Sequence, residues 1–335
     1  MPTIKDIAKL ANVSTATVSR ALNGKLDVSE ATRKRIFDLV EEFDYTPNSI
    51  ARGLITKKIN IIGVVVPDIV NPFYPEVFRG IEDEARGKGY SVIYLNTDYE
   101  LGKEREALVM LKQKSVAGLL WASSTTIFEG ECKKDPKNMP IILMDNYHDK
   151  LKIPAVTIDN VASAFTAVKY LLSLGHKSIA HIAGNIKNQT ARDRMVGYKM
   201  ALENNGIEFN SDLILYTDYT QKTAKEKSKQ FFGKYKPTAI FVANDIMAVG
   251  CYEAIFELGM SIPEDISVMG HDDIYISSII KPKLTTMRQD KRELGKLAAR
   301  KLIAKLDDGD SDPNTQTSLF LPTKLIQRES TRIID

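Results

Sequence analysis

The chain is poor in the residues that usually announce covalent or metal chemistry. Its two cysteines, Cys132 and Cys251, are too few for a disulfide framework, and its four histidines, His148, His176, His181 and His271, show no metal-ligand spacing. Neither a metal nor a cofactor is therefore expected. No run approaches the ~18 apolar residues of a membrane span. The opening "MPTIKDIAKLANVS" lacks the apolar centre of a secretory signal, so a cytoplasmic chain with no membrane partner is expected. In that compartment the sequon "NQT" at 188–190 would go unused as a glycosylation site. No GxxxxGK[ST], GxGxxG or GxSxG pattern occurs, which argues against the common nucleotide-binding and acyl-transfer enzymes.

What is present is an ordinary globular balance, 43% hydrophobic and 27% charged, over 335 residues, enough for two or three domains with sizeable cores. The net charge of +3 is not spread evenly. Residues 1–60 hold ten Lys/Arg against seven Asp/Glu, so the remainder is neutral. Within that segment the acids crowd into 38–44 and leave basic patches on either side. A small basic module on a large neutral body fits nucleic-acid binding. Charge alone fits a solvated face equally well.

The pattern inside the basic module is more informative. Thr3 can cap a helix with Asp6 favoured in its first turn, and Ile7, Ala8 and Leu10/Ala11 form its inner side. Asn12 suits a left-handed turn. Ser14 then caps a second helix, with Val18 and Leu22 on one side and Ala16, Ser19 and Arg20 roughly opposite; Asn23-Gly24 ends it. Ser29 caps a third, whose Ile36, Leu39, Val40 and Phe43 fall at helical spacing. This is the outline of a helix-turn-helix. Short hydroxyl and amide groups can donate to phosphates without crowding the approach, and an arginine can pair with a guanine edge. Taken alone, the same spacing would also serve an unremarkable helical hairpin. Residues 46–58, "TPNSIARGLITKK", read as a linker in which Pro47 can open a short helix, marginal by itself in water.

From residue 59 apolar runs alternate with helical patterns. "INIIGVVVP", "SVIYLN", "VAGLLWA" and "PIILMD" form one series, and "SIAHIAG", "LILY", "TAIFVA" and "ISVMGH" a second. Such alternation means parallel sheets covered on both faces, and two series suggest two similar lobes. Trp121 and the scattered methionines are assigned to the core. Ligands of open parallel sheets bind beyond the carboxyl ends of the strands. Those ends carry Asn71-Pro72-Phe73-Tyr74, Asp145, Asn188 to Arg194, Tyr219, Asn244-Asp245 and His271-Asp272. Rings for apolar sugar faces, with carboxylates, amides and an arginine for hydroxyls, suit a carbohydrate. Asp273 is read as a turn or cap residue, and His271 as packed rather than liganding.

"TIKDIAKLANVSTATVSRALNG", "VSEATRKRI" and "YTPNSIARGL" resemble the N-terminal region of the lac repressor/galactose repressor family of bacterial transcription regulators. The resemblance continues in order through "IGVVVPDIVNPFYPEVFRGIEDEARGKGY", "TARDRMVGY", "PTAIFVANDIMAVG", "PEDISVMGHDD" and "LTTMRQ", covering essentially the whole chain. It implies an N-terminal all-α helix-turn-helix domain (1–45), a hinge helix or linker (46–58), and an α/β two-lobed domain (59–335). That last domain would be of the periplasmic-binding-protein-like (type I) fold with parallel sheets, for effector binding and dimerisation. Lobe 1 would comprise about 59–157 plus 288–318, and lobe 2 about 158–287 plus 319–335, with "AVTIDN" and "LTTMRQ" among three crossings.

The resemblance also implies roles. Thr15, Ala16 and Arg20 take the base-reading positions. Ser14, Thr17, Ser19, Asn23, Ser29, Thr32, Tyr45 and Asn48 take phosphate positions. Leu54 would wedge into the minor groove, with Arg52 beside it. Ala16 departs from members with a longer amide, leaving a methyl contact at that base. The effector set would be Asn71, Phe73, Tyr74, Asp145, Asn188, Thr190, Arg194, Tyr219, Asn244, Asp272 and Gln289, with Arg194 and Asp272 the most regular of them.

The expected function is a sequence-specific DNA-binding regulator, a repressor, whose operator affinity is set allosterically by a small carbohydrate. Its other partners would be a pseudo-palindromic operator and a second copy of the chain. The end "LIQRESTRIID" has no leucine heptad, so a dimer is expected. One alternative is a catabolite-control-type regulator whose corepressor is a phosphorylated phosphocarrier protein docked on the outer lobe surface. Another is a cytoplasmic sugar-binding protein. Asp145 and Asp272 as a glycosidase pair is an enzyme reading that the DNA-binding head disfavours.

Overall fold

The computed structural model describes residues 2–22, 25, 27–45, 60–122, 139–148, 151, 153–308 and 316–334. The chain divides into two compact units, residues 1–59 and 60–335. In the first, helix α1 (Ile4–Leu10) is opened by a reciprocal cap. The Asp6 amide donates to Thr3 Oγ1 at 3.4 Å, and the Thr3 amide donates to Asp6 Oδ2 at 2.8 Å. Asn12, at φ 51°, turns the chain into α2 (Thr15–Leu22), whose first turn is capped by the Thr17 amide donating to Ser14 Oγ at 3.0 Å. Ser29 caps α3 (Glu30–Glu42) in the same way, through the Thr32 amide.

Ile7, Ala8, Ala11, Val18, Ala21, Val28 and Ile36 form the small core between these helices. Two residues assigned inward do not go there. Leu10 is 52% exposed, because Ala11, four residues after Ile7, takes the inner face of this short helix. Phe43 is 40% exposed; it is the C-cap of α3, where the helical register ends. Asn23, Asn48, Arg52, Leu54 and the whole 46–58 linker lie outside the described residues.

The second unit holds two six-stranded sheets. The first contains β1 (Ile61–Val66), β2 (Ser91–Asn96), β3 (Gly118–Trp121), β4 (Ile141–Met144), β5 (Ala155–Ile158) and β11 (Leu319–Leu321), in the order β11-β5-β4-β3-β1-β2, parallel throughout. The second contains β6 (Ile179–Ala183), β7 (Ile214–Tyr216), β8 (Ala239–Val242), β9 (Ser267–Asp272), β10 (Thr285–Gln289) and β12 (Thr323–Ile326), in the order β12-β10-β9-β8-β6-β7. Only β12 runs antiparallel to its neighbour.

Both faces of each sheet are covered, as continuous apolar strands require. Along β1, Ile62, Val64 and Val66 pack beneath α4 (Phe73–Gly87) and α10 (Lys291–Asp308), while Val65 meets Leu108 and Leu111 of α5 (Leu101–Gln113) on the other side. The second sheet is covered by α6 (Asn160–Ser173) with α7 (Gln189–Glu203), and by α8 (Gln221–Lys234) with α9 (Asp245–Glu257). Trp121 is fully buried, as are Met144, Met247, Met269 and Met287, but Met200 is 43% exposed.

The helices α4 and α10 approach closely. A methyl group added at Gly80 would lie 2.0 Å from the Arg292 carbonyl, and one at Gly295 would lie 2.0 Å from the Val77 carbonyl. Two cross-helix pairs flank that contact, Arg292 with Asp83 and Arg300 with Glu84. The chain changes lobe after β5, after β10 and between β11 and β12. Leu319–Leu321 therefore belongs to the first sheet, where the sequence put the change at 319. Pro322, which cannot donate to a ladder, marks the actual break.

Candidate functional site

The carboxyl ends of the two sheets face a cleft whose empty space, about 540 Å³, includes open solvent. Its wall is made by Pro67, Asn71, Phe73, Tyr74, Tyr99, Ala122, Asp145 and Asn146 from the first lobe. Asn188, Thr190, Arg194, Tyr219, Asn244 and Asp272 come from the second. Ten of the eleven residues chosen from the sequence are thus brought together. Gln289 is the exception. It is 1% exposed and stands behind the wall, its Nε2 donating to Asp272 Oδ1 at 2.7 Å.

Many of these side chains are placed by the start of a helix. Asn71 accepts the Phe73 amide at 3.0 Å at the entry to α4, and Asn244 accepts the Met247 amide at 2.8 Å as the N-cap of α9. Arg194, on α7, is 4% exposed. It is held by Asn160 Oδ1 at 2.8 Å and by the Ala243 carbonyl, with Asp272 Oδ1 3.9 Å away. His271 sits behind Asp272. Burial, reinforced by Arg194, pushes its pKa down to about 4, so at neutral pH it carries no charge. Its Nδ1 lies 3.0 Å from Asp272 Oδ1, a carboxylate that can only accept, so Nδ1 holds the proton. Nε2 then accepts from Ser163 Oγ at 2.8 Å. The packed role given to His271 agrees with this, and Asp273, at φ 53°, is a turn residue ion-paired to Arg328.

Across the cleft, burial raises the Asp145 carboxyl to about 6; Arg194 opposes this and Asp272 adds to it. The Tyr74 hydroxyl donates to Asp145 Oδ2 at 3.3 Å. The Tyr219 hydroxyl lies 3.4 Å from Thr190 Oγ1, and its ring stacks on that of Tyr99 at 6.3 Å and 11°. The site therefore offers two carboxylates, one fixed guanidinium, several amides and a pair of parallel rings. Tyr99, Pro67, Ala122 and Asn146 were not selected from the sequence. Tyr99 and Ala122 lie just past the ends of β2 and β3, which the strand-end reading passed over. Among the described residues no group of His, Cys, Asp and Glu could hold a metal ion.

The first unit presents a different surface. Thr15, Ala16, Arg20, Ser14 and Ser29 are exposed, and Thr17, Ser19, Thr32 and Tyr45 are half-buried. Val18 and Ala21 face the core from the opposite side of α2. Arg20 projects into solvent, its Nη1 3.5 Å from Asp27 Oδ2. Ser14 and Ser29 both cap helices, so the hydroxyls assigned to phosphate also hold helix N-termini, where backbone amides favour an anion.

The model of "Bacterial regulatory proteins, lacI family" matches residues 3–48, and that of "Periplasmic binding protein-like domain" matches 168–331. The catabolite control protein A of Priestia megaterium is 36% identical over 334 residues, covering 98% of this chain and 99% of its own. The chain belongs to the lacI family. The ribose operon repressor of Halalkalibacterium halodurans is equally similar, at 36% over 99% of this chain and 98% of its own. A crystal structure of the lac repressor dimer, bound to operator and an anti-inducer, superposes with a TM-score of 0.87 at 29% identity over 99% of both chains. As a lacI-family member the chain is a DNA-binding transcription regulator: a helix-turn-helix followed by a two-lobed ligand-binding domain. Its relatives are regulators rather than enzymes, and among the described residues no helix is long and apolar enough to cross a membrane.

Proposed function

We propose that this lacI-family chain is a cytoplasmic, nucleoid-associated, homodimeric repressor without enzymatic activity, and that its effector is a small carbohydrate. The observation that carries the effector class is the cleft wall: the stacked Tyr99 and Tyr219 beside Asp145, Arg194, Asp272 and Asn244. Rings cover the apolar face of a sugar, and bidentate charged groups take adjacent hydroxyls. Thr15, Ala16 and Arg20 read bases; the hydroxyls of Ser14, Thr17, Ser19, Ser29 and Thr32 take phosphates, together with Asn23, Tyr45 and Asn48. Leu54 and Arg52 engage the minor groove in a hinge spanning 46–58. A dimer on a pseudo-palindrome would bring two hinges together, so a change in lobe geometry would alter whether they pair. The similarity to a ribose operon repressor makes D-ribose the first sugar to test.

The test is isothermal titration of the full chain with D-ribose and then a panel of pentoses, hexoses and disaccharides. Saturable binding that is lost in Arg194→Ala and Asp272→Ala supports the reading. Binding of a sugar with unchanged affinity in both variants would refute the site. The equal similarity to a catabolite control protein favours a second reading, in which a phosphorylated phosphocarrier protein acts as corepressor. It would gain support if no sugar bound but the phosphorylated carrier shifted operator affinity.

A further inference from the structure

The strand end that carries Asp272 has an unusual backbone. Asp272 and Asp273 are consecutive non-glycine residues at φ 113° and 53°. Such conformations are sparsely populated and persist only where the surroundings over-determine them. The carbonyls of both residues are held by a single ammonium group. Lys291, the first residue of α10, is 4% exposed, and its Nζ donates to the Asp272 carbonyl at 3.0 Å and to the Asp273 carbonyl at 2.8 Å. Its third donor faces Glu76 Oε1 of α4 at 3.6 Å. The ammonium thus donates to two carbonyls at the end of the second lobe's cleft strand and is ion-paired with a first-lobe helix.

Both ends of this link are stiff. On one side the Asp272 carboxylate is already bonded by Gln289 and His271, and the Asp273 carboxylate by Arg328. On the other, α4 and α10 touch through Gly80 and Gly295 and are clamped by the Arg292–Asp83 and Arg300–Glu84 pairs. A shift of the Asp272 backbone would therefore act on a closely packed helix pair.

We propose that Lys291 is a positioning residue: it fixes the backbone that presents the Asp272 carboxylate to the cleft and ties it to the α4–α10 pair of the first lobe. The proposal rests on the cleft as the effector site, but its test needs no ligand, so it can fail independently of the carbohydrate reading. The experiment is hydrogen–deuterium exchange of the full chain, free of sugar and DNA, for wild type, Lys291→Met, Glu76→Gln and the double variant. Lys291→Met should speed exchange at least tenfold both in peptides covering 270–275 and in those covering the first turns of α4. Glu76→Gln, which leaves the two carbonyl bonds intact, should act on α4 alone by about threefold. In the double variant the effect on α4 should not exceed that of Lys291→Met, since both changes break one link. Acceleration confined to the first turn of α10, or spread evenly over β6 and β8, would make Lys291 a merely structural residue. Additive effects on α4 would equally overturn the proposal. If Lys291→Met does not fold, Glu76→Gln alone decides: no change at α4 refutes the link.

Discussion

The cleft and the face of α2 are both polar, yet they solve opposite problems. In the cleft the charges are buried and bonded before any ligand arrives: Arg194 is 4% exposed and already held by Asn160, the Ala243 carbonyl and the charge of Asp272. On α2 the one cation of the helix is loosely held, with the Arg20 and Asp27 side chains 60% and 56% exposed. A small ligand that is engulfed must find its partners preset, because reorganising them would consume its limited binding energy. A DNA duplex brings a high density of charge, and solvated side chains can adapt to it while counterions leave. Geometry sets specificity in the first case; in the second, attraction comes first and geometry follows.

That contrast can be broken by substitution, and the largest effect belongs to the preset site. Arg194→Ala removes the cation beside the buried Asp272 charge and the donor to Asn160 Oδ1, and losing one partner of a buried ion pair costs roughly 3–5 kcal/mol. Denaturant unfolding should show the 60–335 unit destabilised and sugar titration should show no response, while operator binding persists under native conditions. On the adaptive surface the cost is smaller and selective. Arg20→Ala should weaken the specific operator by about 1–3 kcal/mol and hardly change binding to random DNA in anisotropy titrations. An equal loss on both would make Arg20 a phosphate contact.

The pH dependence of stability separates the two regions further, since the strongly shifted buried groups lie in the 60–335 unit. The folded pKa of Asp145 is raised from 3.8 to about 6, so its neutral form favours the folded state and that contribution fades as pH rises through 6. His181 and His271, both lowered from 6.5 to about 4 chiefly by burial, act with the opposite sign: their contribution is present above 6.5 and lost as pH falls towards 4. Asp145→Asn removes one opposing carboxyl and leaves that of Asp245, which burial also raises, so the loss of stability between pH 6 and pH 4 should become steeper than in the wild type. An unchanged slope in urea midpoints would mean that Asp145 titrates normally. The smallest effect concerns Asp27. Asp27→Asn frees Arg20 from an exposed pair worth about 0.2–1 kcal/mol and should tighten operator binding by no more than that, most visibly at low salt. Weaker binding would instead show that Asp27 orients Arg20 for the base.

How far the sequence could be read differs between the regions as well. Strands and caps were legible because they are local: β1 is a run of buried apolar residues, and Thr3, Ser14 and Ser29 each stand just before a helical pattern. Ten residues of the cleft wall followed from a topological rule about strand ends. Tyr99 escaped because it reaches the cleft only through a loop turn at φ 59°, and Gln289 fell behind the wall because its partner is Asp272 rather than a ligand. Lys291 could not be found from spacing at all. It looks like any first-turn lysine, and only the fold brings its Nζ to the carbonyls of Asp272 and Asp273.

The central claim is that a carbohydrate in the preset cleft controls the adaptive DNA surface. It is tested most directly by measuring operator affinity of the full chain across a D-ribose titration, on a duplex selected from random DNA, with Arg194→Ala alongside. The account predicts a saturable shift of roughly 5–150-fold, the usual range of such couplings, in the wild type and none in the variant. A sugar that binds by calorimetry yet leaves operator affinity unmoved would contradict it.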